Sequence, residues 1–181
     1  MRKSICMLLF LFCLTTSHIM AQQTNIPDII ETVNKVNADG KKEGLWIERV
    51  DRFLCFYQYK NGVQHGAYCV FDMIRNEVCE IGEFTNGSYS GTWIQFLDGH
   101  LSGICRDFKK FDTPIPIPAV HHAIGNCEYQ CYSIGYHPNG TKRREGLIIY
   151  EDGEFVQNSY EYGVWKFYDE SGKLIRTENY E

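Results

Sequence analysis

His121, His122, Cys127, Cys131 and His137 come nearest to a chemical site, because imidazole and thiolate are good zinc ligands. Their spacing argues against one. Three residues separate Cys127 from Cys131, looser than the two-residue zinc knuckle, and adjacent histidines on an extended segment point to opposite sides. The chain has no Gly-x-Ser-x-Gly elbow, no His-Glu-x-x-His and no phosphate-cradling glycine loop ahead of a helix. Tyr132, Tyr136 and Tyr150 read as sheet packing, and Glu83, Asp98 and Asp152 as solvated or turn-forming carboxylates. The expectation is a non-enzyme with no catalytic residue, no cofactor and no metal.

Charge and the amino-terminal residues bound the setting. Arg2 and Lys3, the apolar run Ile5 to Leu14 and the polar exit to Ala21 have the three-part order of a secretory signal peptide, expected at residues 1–21. Bulky Leu11 and Phe12 before Cys13 disfavour a lipid-attachment site. The apolar run falls short of the roughly 20 residues that span a bilayer, and no other stretch is apolar enough to be transmembrane. Without Arg2 and Lys3, 16 basic side chains face 23 acidic ones, and the formal charge moves from −5 to −7. That balance excludes nucleic acid and anionic membrane as main partners, since both want basic patches. The one basic cluster, Lys142-Arg143-Arg144, falls in an expected turn. The expected location is periplasmic or extracellular.

In an oxidising compartment the six cysteines beyond the leader could pair, and Cys127 with Cys131 is the expected bridge. The competing reading is free thiols packed as small hydrophobes, because most of the six lie among apolar strand residues.

The elements that must position these residues come from one recurring octet, Asp/Asn-Gly-x-x-x-Gly-x-aromatic. It occurs as Asp39-Gly40 to Gly44-Leu45-Trp46, as Asn61-Gly62 to Gly66-Ala67-Tyr68, and as Asn86-Gly87 to Gly91-Thr92-Trp93. Asn158-Ser159 to Gly163-Val164-Trp165 repeats the spacing, and Asn139-Gly140 to Gly146-Leu147-Ile148 carries two extra residues. Periods of 22 and 25 residues are those of a repeat architecture. Asn-Gly and Asp-Gly supply tight hairpin turns, and the second glycine introduces a strand rich in aromatic and β-branched residues. Alternation puts Trp93, Gln95 and Leu97 on one side and Ile94 and Phe96 on the other. Trp46, Tyr68, Trp93 and Trp165 should then form one stacked stripe. Only Ile26 to Val36 could be helical.

The fold expected is all-β: an elongated, twisted antiparallel sheet of successive hairpins over residues 37–181, after an extension at 22–36. The spacing from Asn86 to Asn139 is 53 residues, so one copy is missing. A loop at about 109–128, with Pro114, Pro116, Pro118, His121 and His122, takes its place. Alternating prolines forbid a central strand there, and loops on a regular scaffold often carry function.

At Tyr162-Gly163-Val164-Trp165-Lys166-Phe167-Tyr168 and at Gly82-Glu83-Phe84-Thr85-Asn86-Gly87 the chain resembles the MORN-repeat family, and more closely its bacterial YwqK-type antitoxin-like variants. The resemblance covers roughly residues 37–104 and 133–181. It implies a hairpin sheet serving as an interaction module for proteins or lipids. An exported chain cannot act as a cytoplasmic antitoxin, and an acidic one lacks the groove for lipid headgroups. A fainter resemblance is to aromatic hairpin repeats that hold cell-wall or other glycans. The expected function is a protein-interaction module with an unidentified protein partner. The alternative is carbohydrate or cell-wall binding through exposed aromatics.

Overall fold

The computed structural model describes residues 32–151 and 159–181. The leader expected at 1–21, most of the extension at 22–36, the turn at Asp152-Gly153 and Asn158 lie outside the described residues.

Turn chemistry dictates the topology. Asn61-Gly62, Asn86-Gly87 and Asp98-Gly99 hold two successive positive φ angles (52° and 84°, 52° and 85°, 51° and 73°). That is the turn whose twist matches paired strands, and glycine meets no steric penalty in it. Asp39-Gly40 and Asn139-Gly140 close a different turn, in which Gly40 N donates to Asn37 O at 3.0 Å and Gly140 N to His137 O at 2.9 Å.

Between turns run eleven strands: β1 (Lys35–Val36), β2 (Lys42–Val50), β3 (Phe53–Lys60), β4 (Val63–Asp72), β5 (Glu77–Thr85), β6 (Ser88–Leu97), β7 (His100–Pro116), β8 (Asn126–Tyr136), β9 (Lys142–Tyr150), β10 (Ser159–Tyr168) and β11 (Leu174–Tyr180). Each pairs antiparallel with the next, in sequence order, as one open sheet. At about 4.8 Å between strands the sheet is roughly 48 Å across. Among the described residues the single helical turn is Ala119–His121. Lys35–Val36 pairs with β2, so the helix expected to reach Val36 does not include its last two residues.

The second glycine of the octet does not precede its strand; it bulges it. Opposite Gly91, the pairing passes from Ile81↔Ile94 to Glu83↔Ser90, so β6 holds two more residues than β5 over that span. Gly91 has φ 62°, and a Cβ on it would lie 2.3 Å from Glu83 Oε1, which fills the bulge. Gly66 on β4 is built alike, with Gln58 Oε1 accepting from Ala67 N at 3.2 Å.

The tryptophans of the octets each satisfy a backbone carbonyl. Trp46 Nε1 donates to Lys35 O at 3.0 Å, Trp93 Nε1 to Glu83 O at 3.1 Å and Trp165 Nε1 to Leu147 O at 2.9 Å. Each acceptor is on the preceding strand. Trp93 lies on Gly82 and Trp165 on Gly146, so closely that a Cβ would sit 2.2 Å and 2.5 Å from the rings. Gly146 is therefore a floor for an indole rather than a turn residue.

One face carries a core cluster of Phe84, Trp93, Cys105, Cys131 and Tyr150. On the other face a single cross-strand row runs Ile47, Phe56, Cys69, Ile81, Ile94, Ile104 and Ile134, each the direct partner of the next. A second cluster, Ile117, Cys127 and Ile149, gathers where β7 and β8 extend beyond their neighbours.

Candidate functional site

The rings of the octets and of their return strands meet in a continuous series. Trp46 touches Tyr59 (centroids 6.0 Å apart), Tyr59 touches Tyr57 (6.0 Å), Tyr57 touches Tyr68 (5.1 Å) and Tyr68 touches Trp93 (5.2 Å). Tyr89 extends the series from Trp93 (4.6 Å) to Tyr150 (6.1 Å), which stacks on Tyr129 at 5.5 Å. Trp46, Tyr68 and Trp93 thus share a stripe, with Tyr57 and Tyr59 bridging the first two. Trp165 packs instead on Phe167, at 6.4 Å.

Two hollows open along this stripe. A cavity of about 200 Å³ is lined by Tyr57, Gln64, Tyr68, Glu80, Phe84, Gly87, Tyr89 and Trp93. Beside it a groove of about 600 Å³ is bounded by Val50, Phe53, Cys55, Val70, Phe96 and Leu97, with Tyr57, Tyr68, Glu80 and Gln95 shared or adjoining. Val50 and Leu97 stand more than half exposed on its rim.

Glu80 is common to both hollows. It is the direct cross-strand partner of Val70 and of Gln95, whose Nε2 donates to Glu80 Oε1 at 3.0 Å. Burial holds the Glu80 carboxyl above the usual carboxylate range, against the pull of Gln95. The same burial, with the Glu80 charge, pushes the Tyr89 phenol up to about 12. Tyr57 rises to about 12 through burial and the neighbouring Cys55. None of Glu80, Gln95, Tyr57 or Tyr89 stands in the octet's defining positions. Alternation along β6 puts Tyr89 and Gln95 on the face of Trp93, whereas Tyr57 on β3 and Glu80 on β5 reach that face only through the register of the strands.

The loop expected at about 109–128 is shorter, covering residues 117–125 with the helical turn Ala119–His121 inside it. Strand β7 continues to Pro116 and β8 begins at Asn126, with Ile115↔Cys127 and Pro116↔Asn126 as partners. Five steps of β7, from Lys110 to Ile115, face two steps of β8, from Tyr129 to Cys127. Proline lacks the N–H that a regular ladder needs, so the strand bows there instead of ending. The missing copy is a lengthened hairpin. Pro114 and Pro116 are exposed, whereas Pro118 is buried. His121 Nε2 lies 2.7 Å from Glu161 O, and its ring stacks on Tyr180 at 5.7 Å and 5°. His121 is thus a latch onto β10 and β11; His122, at φ 52°, is the exposed member of the pair.

The five candidate metal ligands do not converge. His137 Nε2 lies 2.9 Å from Tyr168 O, at the far end of β8, and among the described residues no three His, Cys, Asp or Glu side chains gather to hold a metal.

All six described cysteines are free thiols. The expected Cys127–Cys131 bridge does not fit, because both lie on β8, four residues apart. An extended strand separates such Cα atoms by about 13 Å, whereas a disulfide spans about 7 Å at most. They also belong to different core clusters. The thiol in contact with Cys131 is that of Cys105; the hydrogen bond between them, then burial, pushes Cys131 upward. Burial, and after it the Glu151 charge, pushes Cys127 up to about 11.

Set beside protein-family models, curated proteins and solved structures, the chain finds no match.

Proposed function

We propose that this is an exported, non-enzymatic interaction module that receives a protein partner in the groove between β2 and β7. One observation carries the reading: a 600 Å³ groove walled by Val50, Phe53, Val70 and Leu97 lies open beside a buried aromatic cluster. Open apolar surface of this kind, on a rigid sheet, gives a partner's apolar side chains a place to be desolvated. The resemblance to MORN and YwqK-type repeats supports the same role, since there the hairpin sheet is a scaffold for recognition. The secretory pattern of residues 1–21 supports a periplasmic or extracellular site of action.

The glycan alternative needs ring faces that a sugar can reach. Trp93 is 1% exposed and Trp165 0%, and Lys42 Nζ stands 4.5 Å over the Trp46 ring and 4.7 Å over Tyr59. The protein reading is the better supported. It is tested by cross-linking wild type and a Val50→Glu/Leu97→Glu variant in envelope extract. A discrete cross-linked protein that the folded variant loses is the expected result. Equal cross-linking by both, or saturable glycan-array binding without any protein adduct, overturns it.

A further inference from the structure

Glu80 is the one element of the groove that an apolar partner does not explain. It sits half-buried between two hollows, hydrogen-bonded to the neutral Gln95, and no basic side chain among the described residues pairs with it. The cations in its part of the sheet are engaged elsewhere. Lys42 pairs with Glu48 at 2.6 Å, Arg52 with Asp72 at 3.2 Å, and Arg75 with Asp98 at 2.6 Å. A carboxylate left so is costly unless an opposite charge reaches it.

Around it stand electron-rich rings. Tyr57, Tyr68 and Tyr89 line the cavity with Phe84 and Trp93, and the rings interlock at 4.6–5.7 Å. The faces of such rings attract cations, most strongly where water is excluded. A bare metal ion would find a single carboxylate, since no three His, Cys, Asp or Glu side chains gather among the described residues, so the fitting charge is a diffuse, apolar-skinned one. The cavity's 200 Å³ admits an ammonium head.

We propose that the cavity formed by Glu80 with Tyr57, Tyr68, Phe84, Tyr89 and Trp93 is a binding site for an organic ammonium group. Glu80 supplies the counter-charge, the partly exposed rings of Tyr57, Tyr68 and Tyr89 supply the cation–π surface above the buried Phe84 and Trp93, and Gln95 fixes the carboxylate. The ammonium can belong to a free quaternary amine or to a lysine side chain. The site stands whether or not a protein fills the groove, because its evidence is the carboxylate and the rings rather than the apolar walls.

The test is calorimetric titration of the full chain with choline, with N-acetyl-lysine methylamide and with 3,3-dimethylbutanol, the uncharged counterpart of choline. Intrinsic tryptophan fluorescence, to which Trp93 contributes with Trp46 and Trp165, follows the same titrations. At least one ammonium should saturate the protein below about 10 mM and bind at least about tenfold more tightly than the uncharged alcohol. Glu80→Gln, checked for folding by circular dichroism, should lose about tenfold or more of that affinity. Preference for choline assigns a free quaternary amine, and preference for the lysine derivative assigns a protein side chain. Equal binding of choline and the alcohol to the wild type overturns the proposal. So does an undiminished affinity in Glu80→Gln, or an absence of saturation by either ammonium. The wild-type comparison decides the matter even if the variant fails to fold.

Discussion

The hairpins β3–β6 and the hairpin β7–β8 use the same antiparallel pairing but control it by different means. In β3–β6 two of the three connections are Asn-Gly turns, the third being Met73 to Asn76, and the strands are bent by glycine bulges at Gly66 and Gly91. A side chain from the opposite strand then fills each bulge. In β7–β8 the irregularity comes at Asp107, with φ 60°, and between Lys110 and Ile115, where Pro114 falls. The resulting overhang is held by contacts with β10 and β11. The first region is stabilised by neighbours close in sequence. The second depends on residues some forty positions away, as His121 and Glu161 show. Local rules built the surface that carries the hollows; a distant latch built the tip.

The largest effect expected from breaking this comparison is at the aromatic stripe. Gly82→Val drives two methyl groups into the Trp93 ring, whose nearest atom is 2.2 Å from the position of a Cβ. It should cost about 3 kcal/mol or more in urea unfolding, by overpacking without relief. Because the contact lies in the repeat region, hydrogen exchange should accelerate throughout β3–β6.

A smaller and more confined loss is expected at the overhang. His121→Ala removes one hydrogen bond to a backbone carbonyl and one ring stack, worth about 1–2 kcal/mol together. Exchange and proteolysis should rise between Pro116 and Asn126 while β3–β6 stays protected. Equal loosening of both regions would show that the latch supports the whole sheet.

An acid titration gives the finest contrast. Burial pushes the Asp72 carboxyl up, but backbone donors Arg75 N (3.1 Å) and Ile74 N (2.9 Å), with the Arg52 and Arg75 guanidiniums, outweigh it and hold the pKa below the usual value. A carboxylate so depressed contributes stability above its unfolded pKa and loses it as pH falls through the folded one. Stability should therefore drop on acidification below the ordinary aspartate range, and Asp72→Asn should flatten that limb. An unchanged acid limb in Asp72→Asn would assign the loss to other carboxylates.

Much of the sheet was legible in the residues. The octet located the turns ahead of β2, between β3 and β4, between β5 and β6 and between β8 and β9, and alternation separated Trp93 and Gln95 from Ile94. The hollows were not legible, because Glu80, Tyr57 and Tyr89 fall outside the repeated positions. Only the register of β3, β5 and β6 brings them together. The thiol pairing was misread for a similar reason: Cys127 and Cys131 are near in sequence but stretched apart along one strand. Cys105, 26 residues earlier, is the thiol that a neighbouring strand delivers to Cys131.

By itself the sequence determined that the chain is a series of antiparallel hairpins, because turn geometry and strand alternation are local properties of a few residues. Tertiary structure alone decided that the second glycine would be a bulge and that Gly82 and Gly146 would lie under indoles. It also decided that the prolines would extend a strand, and that an unpaired carboxylate would stand among five rings. Each of those outcomes depends on which residues face one another across strands, and register is a property of the assembled sheet.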